Sequence, residues 1–168
     1  DSGLSKEMIA LMKGTVGSAA SLAGAAIGGW YAFRAGRRRA LLVCGLLQSA
    51  SLLFYLAAAH GLGGIATFWA GSIAEHLLGG MATVALFTLM MDASDPDHAG
   101  TDYTLLASAI VVAMGLANFA GAVIADAAGY APTFVAGFVM SVAGCLVLVR
   151  SLDARRGPAR LQPVWSGA

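Results

Sequence analysis

The sequence predicts an all-α integral membrane protein with five transmembrane helices. Of its 168 residues, 58% are hydrophobic and 11% are charged, whereas soluble domains carry about 25% charged residues. The apolar residues form five runs of about 20 residues, which is the length that a helix needs to cross a bilayer. Each run is expected to be a helix, because an open strand cannot satisfy its backbone hydrogen bonds in lipid.

The five predicted spans are joined by short connections. They cover about residues 8–33, 40–59, 65–91, 103–125 and 132–149, and residues 151–168 form a tail. Lys13 lies near the outer end of the first span, and Glu75 and His76 interrupt the third. Residues 164–168, after Pro163, are expected to be disordered.

Two arginine clusters orient these spans. The first follows the first span (Arg34, Arg37, Arg38, Arg39), and the second lies at the start of the tail (Arg150, Arg155, Arg156, Arg160). Short loops rich in Lys and Arg stay in the cytoplasm, and four spans separate the clusters, so both are placed on that side. The amino terminus of the chain is therefore predicted to lie outside and the carboxyl terminus in the cytoplasm.

The other connections agree with this orientation. The turns at residues 60–64 and 126–131 contain no Lys or Arg and fall on the side opposite the arginines. The loop at residues 92–102 falls on the arginine side although it is acidic, because acidic residues contribute little to topology. Thr101 or Asp102 in this loop is expected to cap the first turn of the fourth span.

Small residues recur at four-residue spacing within the spans. The pairs are Gly17 and Ser21, Gly24 and Gly28, Gly45 and Ser49, and Gly137 and Ser141. In membrane helices such pairs let two backbones approach closely. The pattern therefore predicts tight helix contacts at these four places.

Glu75 and His76 are the main candidates for a functional site. Ten residues at about 1.5 Å each put Glu75 about 15 Å inside the third span, near the bilayer midplane. A charge at that depth must face a cavity or a partner. Glu75 is thus a candidate substrate or proton site with His76 as its neighbour or as a separate hydrogen-bond donor; the alternative is a protonated Glu75 bonded to another helix for structure alone.

Three further polar residues in the spans are candidates for the substrate or proton pathway. Lys13 either lines the cavity or extends to the membrane surface. Gln48 in the second span and Asn118 in the fourth are more typical of hydrogen bonds between helices than of ligands.

The composition excludes several other functions. A net charge of +1 argues against nucleic-acid binding, which needs a concentrated basic face. Cys44 and Cys145 both lie in apolar runs, so we expect two free, buried thiols. They form no disulfide framework or metal motif, and no cofactor or metal is expected.

The loop after the first span resembles a motif of the major facilitator superfamily of secondary transporters. That motif is a Gly, three residues, an Asp, a basic residue, any residue, a Gly and two basic residues. Gly29, Arg34, Gly36, Arg37 and Arg38 match this frame. Phe33 stands in place of the Asp, so the charge pairing that the family uses at its inner gate is not transferred to this chain.

The resemblance implies a position within a longer protein. Five spans with the amino terminus outside resemble helices eight to twelve of a twelve-helix transporter, so an amino-terminal half is expected as the missing partner. The stretches HAGTDYTLLAS at residues 98–108 and ADAAGYAPTF at residues 125–134 resemble siderophore-uptake permeases of the rhizobactin and pyochelin type. Muropeptide permeases and acetyl-coenzyme A transporters are relatives of that branch.

The function implied is secondary active transport in the inner (plasma) membrane. The solute would be a small organic molecule, with a siderophore or its iron complex as the first expectation and a muropeptide or another organic solute as the alternative. A noncatalytic membrane subunit is a further alternative. An enzyme is not expected, because adjacent residues such as Glu75 and His76 point apart on a helix and no metalloprotease motif or serine triad is present. The expected partners are the lipid bilayer, the other half and the solute.

Overall fold

The computed structural model describes residues 5–166, without the side chain of Lys6. This part of the chain contains seven α-helices and no strand. They are α1 (Lys6–Ala10), α2 (Gly17–Ala35), α3 (Arg37–Ala59), α4 (Gly64–Ala93), α5 (Ala99–Ala128), α6 (Tyr130–Asp153) and α7 (Leu161–Ser166). A π-helical segment, Leu11–Val16, makes α1 and α2 one continuous rod, and a 3-10 turn, Pro96–His98, precedes α5.

Five helical stretches in the described residues are long and apolar enough to cross a membrane. They are Glu7–Ala35, Arg37–Ala59, Gly64–Ala93, Pro96–Ala128 and Tyr130–Asp153. The prediction of an all-α membrane protein with five spanning helices is therefore confirmed. The third of these stretches is a single uninterrupted helix that runs through Glu75 and His76.

The bundle is centred on α4. This helix packs along α2 on one side and α3 on the other, α6 packs on α3, and α5 lies at the edge, mainly against α6. No residue of α5 is buried, and large apolar side chains are exposed on every long helix. Such faces suit contact with lipid or with further membrane helices.

Glycines bring the backbones of α2 and α4 together. A Cβ atom on Gly24 would overlap the carbonyl of Leu77, and one on Gly80 would overlap the carbonyl of Ser21. A Cβ atom on Gly28 would lie 2.6 Å from the Cα atom of Met81, which is also too close. Only a residue without a side chain fits at such positions.

The predicted small-residue contacts are present. In addition to the α2–α4 contacts, Gly45 lies against Cys145, and the hydroxyls of Ser49 and Ser141 are hydrogen-bonded at 2.7 Å between α3 and α6. Gly137 lies near Leu52. The inference of tight helix contacts from four-residue spacing is confirmed.

Two local expectations were wrong. Neither Thr101 nor Asp102 caps the fourth long helix, because α5 already begins at Ala99 and the carboxylate of Asp102 instead accepts a hydrogen bond from the backbone N–H of Asp95, at 2.9 Å. The tail is ordered up to Ser166, because α7 forms there and buries Trp165. Residues 167–168 lie outside the described residues.

One end of the bundle carries the ion pairs of the arginine clusters, and we call it the arginine end. Arg37 Nε lies 2.6 Å from Asp92 Oδ2 at the end of α4. Arg38 binds Asp153 through two hydrogen bonds of 2.7 and 2.8 Å at the end of α6. These pairs join the start of α3 to the ends of two other helices.

Candidate functional site

Three helical segments contribute side chains to one polar cluster. Lys13 Nζ lies 2.8 Å from Glu75 Oε2 and 3.1 Å from the hydroxyl of Tyr55. The Tyr55 hydroxyl in turn donates to the same Glu75 oxygen at 2.5 Å. We refer to these residues as the Lys13–Tyr55–Glu75 triad.

The helix packing explains how the triad forms. Lys13 lies in the π-helical segment before α2, Tyr55 near the end of α3 and Glu75 in the first half of α4. Because α4 packs between α2 and α3, a side chain on α4 can contact both neighbours at one level. Phe134 of α6 stacks on the ring of Tyr55 with 5.5 Å between the ring centroids, so the phenol also contacts α6.

The triad is enclosed on one side and open on the other. Tyr55 is 9% exposed, whereas the side chains of Lys13 and Glu75 are 45% and 32% exposed. Opposite charges at hydrogen-bond distance offset part of the cost of placing each charge within a membrane span. The open side leaves both charged groups accessible to a molecule that approaches the bundle.

His76 is adjacent to the triad but faces another helix. Its Nδ1 donates to the carbonyl of Ser72 at 2.8 Å and lies 3.9 Å from Glu75 Oε2. The imidazole ring packs on Gly17 of α2, where a Cβ atom would overlap it. His76 therefore contacts the α2 side of α4, while Glu75 reaches the hydroxyl of Tyr55 on α3.

Gln48 and Asn118 occupy different environments. Gln48 Oε1 is buried beside Gly79 at the α3–α4 interface and has no hydrogen-bond partner within the part of the chain that the structure describes. Asn118 is exposed on α5 and is not part of the polar cluster. The structure thus brings Lys13 and Glu75 together, with His76 beside them. Gln48 lies further along the α3–α4 interface, and Asn118 lies apart from the other four residues.

Tyr55 was missed by the sequence analysis. It is seven residues after Gln48 in the same span, so the two side chains lie on one face of α3, two turns apart. A tyrosine hydroxyl inside an apolar span also needs a hydrogen-bond partner. Together these two signals could have placed Tyr55 on the polar face.

The loop-motif residues lie at the arginine end, away from the triad. Gly36 separates α2 from α3 with a φ of 82°, and Arg37 and Arg38 form the ion pairs described above. Arg34 lies over the ring of Trp30, 5.8 Å from its centroid. Gly29 faces Val84 of α4.

The chemistry available is the exchange of ionic and hydrogen-bond partners. No group of three or more His, Cys, Asp or Glu side chains that could hold a metal ion occurs within the described part of the chain. Cys44 and Cys145 are both free thiols, and Cys44 is buried whereas Cys145 is only partly so. The expectation of two free cysteines is confirmed, although full burial holds for Cys44 alone.

The fold is that of a multi-pass helical membrane protein, a class in which ionisable residues inside the spans often mark a pathway for solutes or ions. The comparison with known families specifies that class. The sequence model of the Major Facilitator Superfamily matches residues 1–166, and the chain belongs to this family of secondary transporters. No solved structure matches the chain.

Proposed function

We propose that this chain is the carboxyl-terminal part of an alternating-access uptake system in the inner membrane. Its helices would correspond to helices eight to twelve, and an amino-terminal half would cover the exposed apolar faces of α2 and α5. The solute is a small organic molecule, a siderophore or its iron complex in the first instance. The alternative within the same superfamily is a muropeptide or another organic-solute permease.

The observation that supports a transport site is the Lys13–Tyr55–Glu75 triad. An ammonium group has three donors, and Lys13 uses two of them on Tyr55 and Glu75. Its exposed side leaves the third for an incoming acceptor. Secondary transporters bind their substrates near the bilayer midplane, between the two repeats, and the open side of the triad would face that space.

The pair also provides a means of coupling solute to protons. An anionic group of the solute that binds the exposed side of Lys13 would share the ammonium charge with Glu75 and weaken the ion pair. A carboxylate whose pairing with a cation is weakened takes up a proton more readily, so one proton would bind as one anionic group binds. Release of both on the other side of the membrane would restore the ion pair.

Glu75→Gln in the complete protein tests this coupling. Glutamine keeps the shape and can still accept a hydrogen bond from Tyr55, but it does not ionise. We expect the variant to exchange solute across proteoliposomes while accumulation driven by a pH gradient falls at least tenfold. His76→Gln should have a smaller effect, because His76 faces α2.

Asp126→Asn is the matched control, because Asp126 is an exposed carboxylate at the end of α5 outside the triad. A ferric siderophore and a muropeptide, each radiolabelled, serve as the two solutes. Accumulation by Glu75→Gln equal to the parent across a pH series would assign the carboxylate a structural role. Failure of the parent to take up either solute would reject this branch of the superfamily, and exchange of other solutes would then have to be measured.

A further inference from the structure

The chain reverses direction after α6 and crosses the arginine end. Arg155 adopts a left-handed backbone conformation with φ of 57°, and the N–H groups of Arg155 and Arg156 bond to the carbonyls of Leu152 and Ser151. A left-handed conformation is unfavourable for a residue with a side chain. The two hydrogen bonds form a Schellman motif, which ends α6 and offsets part of this cost.

After this turn the tail packs back on the bundle through the two buried residues of α7. Leu161 is 1% exposed and Trp165 is 4% exposed. Their partners come from the arginine ends of three long helices: Leu41 of α3, Leu89 of α4, and Val149 and Leu152 of α6. The tail thus closes an apolar cluster to which each of these helices contributes.

Polar contacts fix the same segment at two points. The indole Nε1 of Trp165 donates to Asp153 Oδ1 at 3.0 Å, and this carboxylate also accepts the two hydrogen bonds of Arg38. Arg160 lies 3.1 Å from Asp95 in the connection before α5. The tail is thereby connected to α6 and to the α4–α5 connection.

We infer that residues 155–166 act as a clamp that holds the arginine ends of α3, α4 and α6 together. A helix of six residues is far shorter than the roughly 12–15 residues at which isolated helices become even marginally stable. α7 is therefore folded only while Leu161 and Trp165 are docked. Docking is an all-or-none event, and release of the clamp frees three helix ends at once. The inference uses only the packing of this chain and is independent of any solute.

The two native thiols report on the clamp. Cys44 is completely buried and lies one turn from Leu41. Cys145 lies one turn from Val149, and its Sγ is 3.8 Å from the carbonyl of Leu41. Cys44 is buried in the adjacent cluster that it forms with Ala32, Ala40 and Ala85, whereas Cys145 is partly buried. Separation of the helix ends should therefore raise the rate at which both thiols react with membrane-permeant N-ethylmaleimide, and most for Cys44, which starts from the lower rate.

Trp165→Ala should raise the reaction rate of Cys44 at least tenfold in the complete protein. Trp165→Phe, which retains an aromatic ring but loses the hydrogen bond to Asp153, should raise it less. Val164→Ala is the control on the same helix, because Val164 is 39% exposed and is not part of the apolar cluster. Its rate should equal that of the parent.

A third thiol separates local release from general unfolding. Ser72 is completely buried in the other half of α4, so Ser72→Cys introduces a reporter far along that helix from Leu89. The clamp predicts faster reaction at Cys44 and Cys145 with an unchanged rate at position 72. Equal rises at all three positions, in Trp165→Phe as well as in Trp165→Ala, would overturn the inference, as would rates within twofold of the parent in Trp165→Ala.

Discussion

Removal of the Lys13 charge alone should destabilise the bundle more than removal of both charges of its ion pair. Lys13→Met retains an unbranched side chain but leaves Glu75, among the residues that the structure describes, with the Tyr55 hydroxyl as its remaining hydrogen-bond donor. Breaking a fully buried pair costs about 3–5 kcal/mol, whereas an exposed pair contributes about 0–1 kcal/mol. With side chains 45% and 32% exposed, we place the cost of Lys13→Met at about 1–2 kcal/mol, between these limits.

A double-mutant cycle measures this coupling. The parent, Lys13→Met, Glu75→Gln and the double variant are compared by thermal unfolding in detergent. For a protein of this size, 1 kcal/mol changes Tm by about 2–4 °C, so a cost of about 1–2 kcal/mol for Lys13→Met should lower Tm by about 2–8 °C. Adding Glu75→Gln should recover about half of the loss, because no charge is then left without its partner.

Additive effects would refute the reasoning. If the effects of the two single variants sum to that of the double variant within about 0.3 kcal/mol, Lys13 and Glu75 do not interact. The short distance between their charged groups would then have no energetic consequence. A cycle between Lys13 and Asp126 is the control, since Asp126 is an exposed carboxylate of α5 that is not bonded to Lys13. It should give no coupling.

Two further predictions concern topology and helix packing. Single cysteines at Arg39 and Asp97 should react only with reagent that reaches the cytoplasm, and one at Leu62 only with external reagent; labelling of positions 62 and 97 from the same side would exclude the five-span orientation. Gly24→Ala should lower Tm by several degrees, because overpacking costs about 1–3 kcal/mol where a Cβ atom meets the backbone of Leu77. Gly14→Ala, where a Cβ atom has open space, should not lower Tm, and equal losses in the two variants would contradict the packing argument.

Hydropathy was sufficient to predict five membrane helices, because the length of an apolar run is a local property of the sequence. Spacing within one helix also predicted the small-residue contacts, since residues four apart share a face before any partner is known. The triad required more information. Lys13 contacts Glu75 only because of the relative register of α2 and α4. Tyr55 joins the triad only because of the relative register of α3 and α4. No local sequence pattern could therefore predict that the three residues meet.

The tail is a second part of the structure that could not be predicted from local sequence patterns. Residues 164–168 look disordered in the sequence because the surface that buries Trp165 includes residues far away in the chain. Its partner Leu41 is more than 120 residues away in the chain, and the site exists only after α3, α4 and α6 have packed. A six-residue helix that depends on tertiary contacts has too little periodicity to be recognised from the sequence.

Phe33 stands where the motif of the family has an Asp. The arginines of the loop nevertheless have anionic partners. Phe33 is 82% exposed on α2. Asp92 and Asp153 neutralise Arg37 and Arg38 instead, from the ends of α4 and α6. Because these acids belong to two different helices, the pairs resist separation of the helix ends, whereas an acid at position 33 would have been confined to the helix that precedes the loop.

The ion pairs and the clamp formed by residues 155–166 meet at Asp153, which binds both Arg38 and Trp165. Loss of the motif acid is therefore compatible with a closed arginine end, because that end is held by contacts between helices.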